Sequence, residues 1–224
     1  MVNHLLPQQP GKAARTEHQP AMPWRDIPAF VAEHLRNPSR YDVTRPMLEF
    51  LILTASRSGE VRGTRWAEVD LNAGIWTVPA ERMKAKQPQR VPLPDRAIEI
   101  LQAQQGKHDD LVFPSPRDRV ELSDMVLTSF LRRVDAPSNT PERVATAHGF
   151  RSSFRDWCSE QGYPRDLAER ALAHAVGSKV EQAYHRTDLL EQRRPMMQAW
   201  ADFVSGKAAS IGSDNVVTLH NRTA

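Results

Sequence analysis

The chain has 224 residues, 40% of them hydrophobic and 25% charged, which is enough for one well-buried core carrying tails. Thirty Lys and Arg against 27 Asp and Glu give a net charge of +3 and a sequence pI of about 9.2, compatible with a nucleic-acid partner without requiring one. The single cysteine, Cys158, excludes a disulfide framework and a multi-cysteine zinc site and points to a reducing cytoplasm; the longest apolar run, Phe50-Leu51-Ile52-Leu53, is far short of the roughly 20 residues of a membrane helix, and the N-terminus is too polar for a secretory signal.

In chain order, residues 1–23 mix Pro, Gln, Gly and Lys without apolar periodicity and read as a flexible leader or linker remnant. A first helix is expected from Asp26 to His34, with Ile27, Phe30, Val31 and Leu35 at helical spacing and a stop at Asn37-Pro38. Arg45 to Ser56 is apolar nearly all round, as expected of a helix at the centre of a domain, with Arg57 at its C-terminal end. Val69-Asp70, Ile75-Trp76-Thr77-Val78 and Arg90-Val91-Pro92-Leu93 read as short strands of one hairpin sheet, and the polar stretch 84–89 is its tip, carrying Lys84 and Lys86. Helices follow at Asp95 to Gln105, Ser123 to Val134, Thr146 to Glu160, Arg165 to Ala173, Ser178 to His185 and Asp188 to Val204, with a kink or break expected at Pro195. The predicted class is therefore mostly α with a small antiparallel sheet (α+β), a globular unit over 24–206 and a polar tail over 207–224. Within that tail Val216-Val217-Thr218-Leu219 could add as a strand to a neighbouring copy.

The chemistry is suggested by Arg57, His148, Arg151, His174 and Tyr184. A phosphodiester in its transition state spreads negative charge over non-bridging oxygens, which guanidinium forks clamp without ever losing their charge. A tyrosine hydroxyl, with a free pKa of about 10, needs neighbouring cations and a base before it attacks. Such a set breaks a phosphodiester without a metal, and the chain carries neither a His-Glu-x-x-His spacing nor a Walker-type Gly-Lys-Ser/Thr.

These residues resemble the tyrosine recombinases, or phage integrases, and within them the integrases of prophages and genomic islands. The resemblance rests on Arg57 with Glu60 three residues on, a lysine on a β-hairpin, His148-Gly149-Phe150-Arg151, Leu172-Ala173-His174, and Tyr184 shortly after. It implies a catalytic-domain fold of that family and no cofactor. Tyr184 would attack the scissile phosphate to leave a 3′-phosphotyrosyl link, and Lys84, with Lys86 as its alternative, would protonate the departing 5′-oxygen. Arg57 and Arg151 would hold the phosphate oxygens, His148 would take the tyrosine proton or donate to the phosphate, and His174 would hydrogen-bond a phosphate oxygen. Glu60 would orient Arg57, while Arg155, Arg186, Arg193 and Arg194 are candidates for backbone-phosphate contacts. The implied partners are double-stranded DNA at an attachment site, further copies of the chain in a tetramer, and accessory DNA-bending proteins.

Two departures stand out. Ala55 and Ala173 occupy positions where the family usually has glycine, and the arm-binding and core-binding domains that precede the catalytic one in such integrases have no counterpart in these residues. The resemblance thus implies a catalytic domain alone. Its first function is site-specific recombination, set against type IB topoisomerase-like nicking and closing and against a non-catalytic DNA-binding remnant.

Overall fold

The computed structural model describes residues 19–36, 42–117, 119–174 and 187–207. Its centre is α2 (Thr44–Thr54), whose Met47, Leu48, Phe50, Leu51, Ile52 and Leu53 are all buried, as the absence of a polar face requires. Ahead of it a continuous helical stretch runs from a 3-10 turn (Trp24–Asp26) through α1 (Ile27–Phe30) into a π-helical turn (Val31–Leu35). Helices α4 (Asp95–Gln104), α5 (Val126–Arg133), α6 (Gly149–Glu160) and α8 (Leu190–Val204) pack around α2, and α7 (Arg165–Ala171) packs against α6 and α8.

The sheet is the expected one. Strands β1 (Val69–Asp70), β2 (Ile75–Val78) and β3 (Gln89–Pro92) run antiparallel in that order, with Trp76 paired to Val69 and Val91. Trp76, Val78 and Val91 face the core while Thr77 is exposed, the alternation of a half-buried sheet. Fold class therefore follows the sequence reading: helices around a small three-stranded antiparallel sheet.

Four details differ from the sequence reading. First, the ordered contacts begin before Trp24: Ala21 and Met22 are buried, the Pro20 carbonyl accepts from the Thr146 amide at 3.0 Å, and Ala21 and Asn139 exchange hydrogen bonds of 3.1 and 2.8 Å. This segment lies so close to α6 that a Cβ on Gly149 would stand 2.0 Å from the Pro20 oxygen, which makes glycine obligatory there. Second, α2 ends at Ala55 in the left-handed region (φ 50°, ψ 30°), so Arg57 is not its last residue; Arg57 is the extended N-cap of a separate helix, α3 (Ser58–Arg62). Third, helices α5 and α6 start about one turn later than expected, because the Ser123 and Thr146 hydroxyls accept from the Met125 and Gly149 amides in turns that precede each helix. Fourth, α8 passes through Pro195 as one element. Met196, Met197 and Trp200 are buried directly after it, and their packing offsets the single backbone bond that proline cannot give to the Glu191 carbonyl. The helix expected from Ser178 to His185 and the tail from 208 onward lie outside the described residues.

Candidate active site

Three chain ends converge beside α6: the α2–α3 junction, the first turn of α6, and the segment after α7. Arg151, in the first turn of α6, is only 3% exposed. Its Nη1 donates to the Ala55 carbonyl at 2.5 Å, and its Nη2 donates to the Leu172 carbonyl and to His174 Nε2, the latter at 3.2 Å. The two carbonyls are available because the chain turns through left-handed residues at both places: Ala55 itself and Ala173, directly after Leu172, have φ of 50°. These are the two positions where alanine stands in place of the expected glycine. Alanine thus holds both turns, with a local strain of about 1 kcal/mol each.

Arg57 approaches from the other side. As N-cap of α3 it shares a capping box with Glu60, whose carboxylate accepts the Arg57 amide at 2.7 Å and its guanidinium at 2.7 Å. Glu60 is buried while the Arg57 side chain keeps about a quarter of its surface open, so the carboxylate fixes the arginine from behind and leaves its outer edge free. The expected orienting contact of Glu60 is thus present in the structure.

His148 precedes α6 as its N-cap. Partial loss of water at the ring holds it below the usual histidine value although the residue as a whole is exposed, and Arg151, Arg57, His174 and Lys84 reinforce that effect. One imidazole therefore senses four of the five other candidate catalytic residues, although they lie up to 91 positions away in sequence. At pH 7 His148 is neutral and able to accept a proton. Lys84 is exposed in a turn closed by the Lys86 amide on the Met83 carbonyl (3.1 Å) and anchored by buried Met83. Lys86, at φ 55° in the same turn, is not among the groups acting on His148.

Arg151 is held well below the ordinary arginine range, at about 10, by burial first and then by Arg57; Glu60 and Glu169 act in the opposite sense. A cation brought this far out of water beside other cations has a strong electrostatic demand for an anion.

His174 is ordered by a residue the sequence reading did not single out. Its Nδ1 lies 2.6 Å from a carboxylate oxygen of Glu169, whose other oxygen is ion-paired to Arg155, with Nε at 2.8 Å. Glu169 and Arg170 sit off the apolar stripe of Leu167, Ala168, Ala171 and Leu172, so both read as solvent-facing, yet Glu169 is buried. The one available signal was a carboxylate close to His174 in an otherwise cationic set.

The remaining expectations divide. Arg155 is half exposed and ion-paired to Glu169, and Arg194 binds Glu191 and the Gly74 carbonyl. Arg193 is a correction: it is 1% exposed, donates to the Asp188 and Arg90 carbonyls and pairs with the Asp188 carboxylate, so it cannot reach a DNA phosphate. Tyr184 and Arg186 lie outside the described residues, but both flanks of their segment border the site. Gln89 donates to the Arg170 carbonyl just before His174, Arg170 donates to the Thr187 carbonyl, and Arg90 forms a two-point bond to Asp188 at 2.9 and 2.8 Å. His174 and Asp188 line one cavity of about 300 Å³ together with Met83, Ala85, Gln87, Pro88 and Gln89 of the hairpin. No group of three or more potential metal ligands occurs among the described residues.

A family model described as the phage integrase family matches residues 26–190, which contain the whole of this constellation. The chain belongs to the phage integrase family. It is 39% identical over 180 residues to the prophage integrase IntA of Escherichia coli K12, an alignment covering 79% of this chain and 41% of that one. A solved lambda integrase catalytic core shares the fold at a TM-score of 0.51 and 18% identity, covering 72% of this chain and 94% of that one. A lambda integrase tetramer bound to a Holliday junction matches at 0.52 and 21%, covering 76% and 50%. This family member spans about two fifths to one half of the length of the curated integrases it matches. Among its described residues no helix is long and apolar enough to cross a membrane.

Proposed function

We propose that this chain is the catalytic part of a site-specific recombinase that cleaves and rejoins double-stranded DNA at an attachment site, for integration or excision of a mobile element. The observation that carries this reading is the convergence of Arg57, Lys84, Arg151 and His174 on His148, with buried Arg151 lacking a carboxylate bonded to it among the described residues. A phosphate supplies the missing anion.

In this mechanism Arg57 and Arg151 hold the two non-bridging oxygens of the scissile phosphate. Neutral His148 accepts the Tyr184 proton as the phenolic oxygen attacks phosphorus, and the bond to the 5′-oxygen breaks. Lys84, the hairpin lysine that acts on His148, gives that oxygen its proton, leaving a 3′-phosphotyrosyl link and a free 5′-hydroxyl. His174 contributes a hydrogen bond to a phosphate oxygen. Rejoining reverses these steps with a 5′-hydroxyl from another strand, so the bond energy is conserved and no nucleotide cofactor is needed. Four copies exchanging strands through a Holliday junction, assisted by DNA-bending proteins and acting on chromosomal DNA in the cytoplasm, complete the reading. Arg155, Arg186 and Arg194 contribute charge toward the backbone around the site.

The test is denaturing electrophoresis of the chain with a nicked suicide duplex carrying the attachment site. A covalent adduct that Tyr184→Phe abolishes supports strand transfer. No adduct from the wild-type chain, even with the preceding domains of a relative supplied, sinks the proposal, and relaxation of supercoiled plasmid without a partner site redirects it to nicking and closing.

A further inference from the structure

The contact between Glu169 and His174 has a consequence for proton placement. Arg151 Nη2 is a donor with no lone pair to offer, so where it meets His174 Nε2 at 3.2 Å the imidazole must present its lone pair. The proton of neutral His174 then resides on Nδ1, where it is donated to Glu169 at 2.6 Å. The carboxylate is itself held: its second oxygen is ion-paired to Arg155, with Nε at 2.8 Å, and the Glu169 side chain is 11% exposed. The backbone adds a further constraint, because the His174 amide donates to the Glu169 carbonyl at 2.9 Å across left-handed Ala173. Three side chains form one chain of hydrogen bonds, Glu169 to His174 to Arg151, and Arg155 joins it through an ion pair to Glu169.

We infer that Glu169 is a positioning residue that fixes the Nδ1–H tautomer of His174 and so turns its Nε2 toward Arg151 and the place where a phosphate oxygen would sit. The last step rests on the proposed recombinase reading; the tautomer does not. The charged groups facing His174 are Arg151 and His148 from the start of α6, Glu169 and Arg170 from α7, and Asp188 across the cavity. Only Glu169 among them both accepts a proton and bonds the ring. When an anionic phosphate displaces Nε2 from Arg151, a proton taken from solvent onto that nitrogen makes the ring a hydrogen-bond donor to the phosphate oxygen. Glu169 stays behind the resulting imidazolium as its counter-ion, as carboxylates do for metal-bound and catalytic imidazoles. Arg155 acts through Glu169 by keeping the carboxylate aligned.

Long-range proton–nitrogen correlation spectra of the full 224-residue chain without DNA read the tautomer directly. The wild type is expected as Nδ1–H, and Glu169→Ala as shifted toward Nε2–H. Glu169→Gln, whose amide oxygen can still accept, is expected to retain Nδ1–H. A wild-type Nε2–H signal overturns the inference by itself, even should Glu169→Ala fail to fold, and so does an unchanged tautomer in a folded Glu169→Ala. In the adduct assay Glu169→Ala should react at least about tenfold more slowly than wild type, with partial recovery in Glu169→Gln; a wild-type rate also overturns it. Nδ1–H in a wild-type chain that never forms an adduct leaves the tautomer assignment standing and counts against recombination alone.

Discussion

Two nearly fully buried arginines invite comparison. Arg151, at the start of α6, and Arg193, in α8, are 3% and 1% exposed, and both are held at about 10 by loss of water. Both donate to backbone carbonyls exposed where the chain passes through a left-handed residue: Ala55 and Ala173 around Arg151, Leu189 beside Arg193. Their company differs. Arg193 has the Asp188 carboxylate at 3.2 Å, and Asp188 in turn binds Arg90, so the ion pair closes on itself. Arg151 has carbonyls and an imidazole as direct partners, with Arg57 next to it and Glu60 and Glu169 each committed to another side chain. A buried cation with its own counter-ion is architecture; a buried cation whose nearest carboxylates are already engaged is prepared for an anion that arrives from outside.

The comparison is most exposed to exchange of the two functions. Arg151→Ala should lower the rate of adduct formation by about 10²- to 10³-fold or more, as expected for loss of a preorganised donor to a developing charge. Its thermal cost should be the smaller one, because removing a cation from among cations relieves repulsion while leaving the Ala55 and Leu172 carbonyls without a partner. Arg193→Ala should do the reverse, costing about 1–3 kcal/mol because it leaves the Asp188 and Arg90 carbonyls without their donor while Asp188 keeps Arg90, with adduct formation per folded molecule changed far less. Paired melting curves and adduct rates decide this. A stable, inactive Arg193→Ala would show that α8 contributes directly to the chemistry.

A second cut separates the site from the latch behind it. Arg90 on β3 and Asp188 on the far flank of the Tyr184 segment tie the hairpin bearing Lys84 to that segment, while Gln89 ties it to the near flank through the Arg170 carbonyl. Arg90→Ala should slow adduct formation about tenfold while Lys84→Ala slows it about 10²-fold or more, the difference between holding a group and being one. Rate measurements with a duplex whose leaving 5′-oxygen is replaced by sulfur sharpen this, because a thiolate needs no general acid. The sulfur substrate should rescue Lys84→Ala and leave Arg90→Ala slow; equal rescue would erase the distinction.

The contrast also explains what could be read in the sequence. That Arg57, His148, Arg151 and His174 come together was legible because the phosphoryl chemistry proposed above limits which residue types can serve, and the buried centre of α2 was legible because its apolar residues run nearly all round. Arg193 was misplaced despite a usable signal: it lies with Leu190, Met197, Trp200 and Val204 on the buried stripe of α8, where a charge should be read as paired inside. Glu169 was missed for the opposite reason, since its neighbours gave it a solvent-facing position, whereas Arg155 of α6 and the return of the chain at His174 both lie against its carboxylate. The Pro20–Met22 segment had no periodicity to read, because its burial depends on Asn139, Thr146 and Gly149, which are distant in sequence.

Proton uptake gives a smaller and differently signed effect. Burial and neighbouring cations lower the pKa of His148 in the folded chain, so below about 6.5 the unfolded state binds a proton that the folded state resists. Stability should therefore fall as pH drops from 7.5 toward 5.5, and His148→Gln should lessen that fall in melting temperature. His148 is exposed as a residue, so the change is modest; an enlarged acid loss in His148→Gln would place the cationic pressure elsewhere.

The smallest expected effect tests whether the two arginine sites rest on the same backbone device. Ala55, Ala173 and Leu189 adopt φ of 50°, 50° and 53°, and a glycine at any of them removes the Cβ clash of the left-handed region. It also enlarges the entropy of the unfolded chain, so the net gain is at most about 1 kcal/mol per site. Ala55→Gly and Ala173→Gly keep both carbonyls where Arg151 needs them and should raise the melting temperature by a few degrees at unchanged adduct rate. Leu189→Gly gives up a partly buried side chain packed against the core and should gain less or lose stability. A loss of activity in either alanine variant would mean that the rigidity of these turns, rather than the position of their carbonyls, is what holds Arg151 ready.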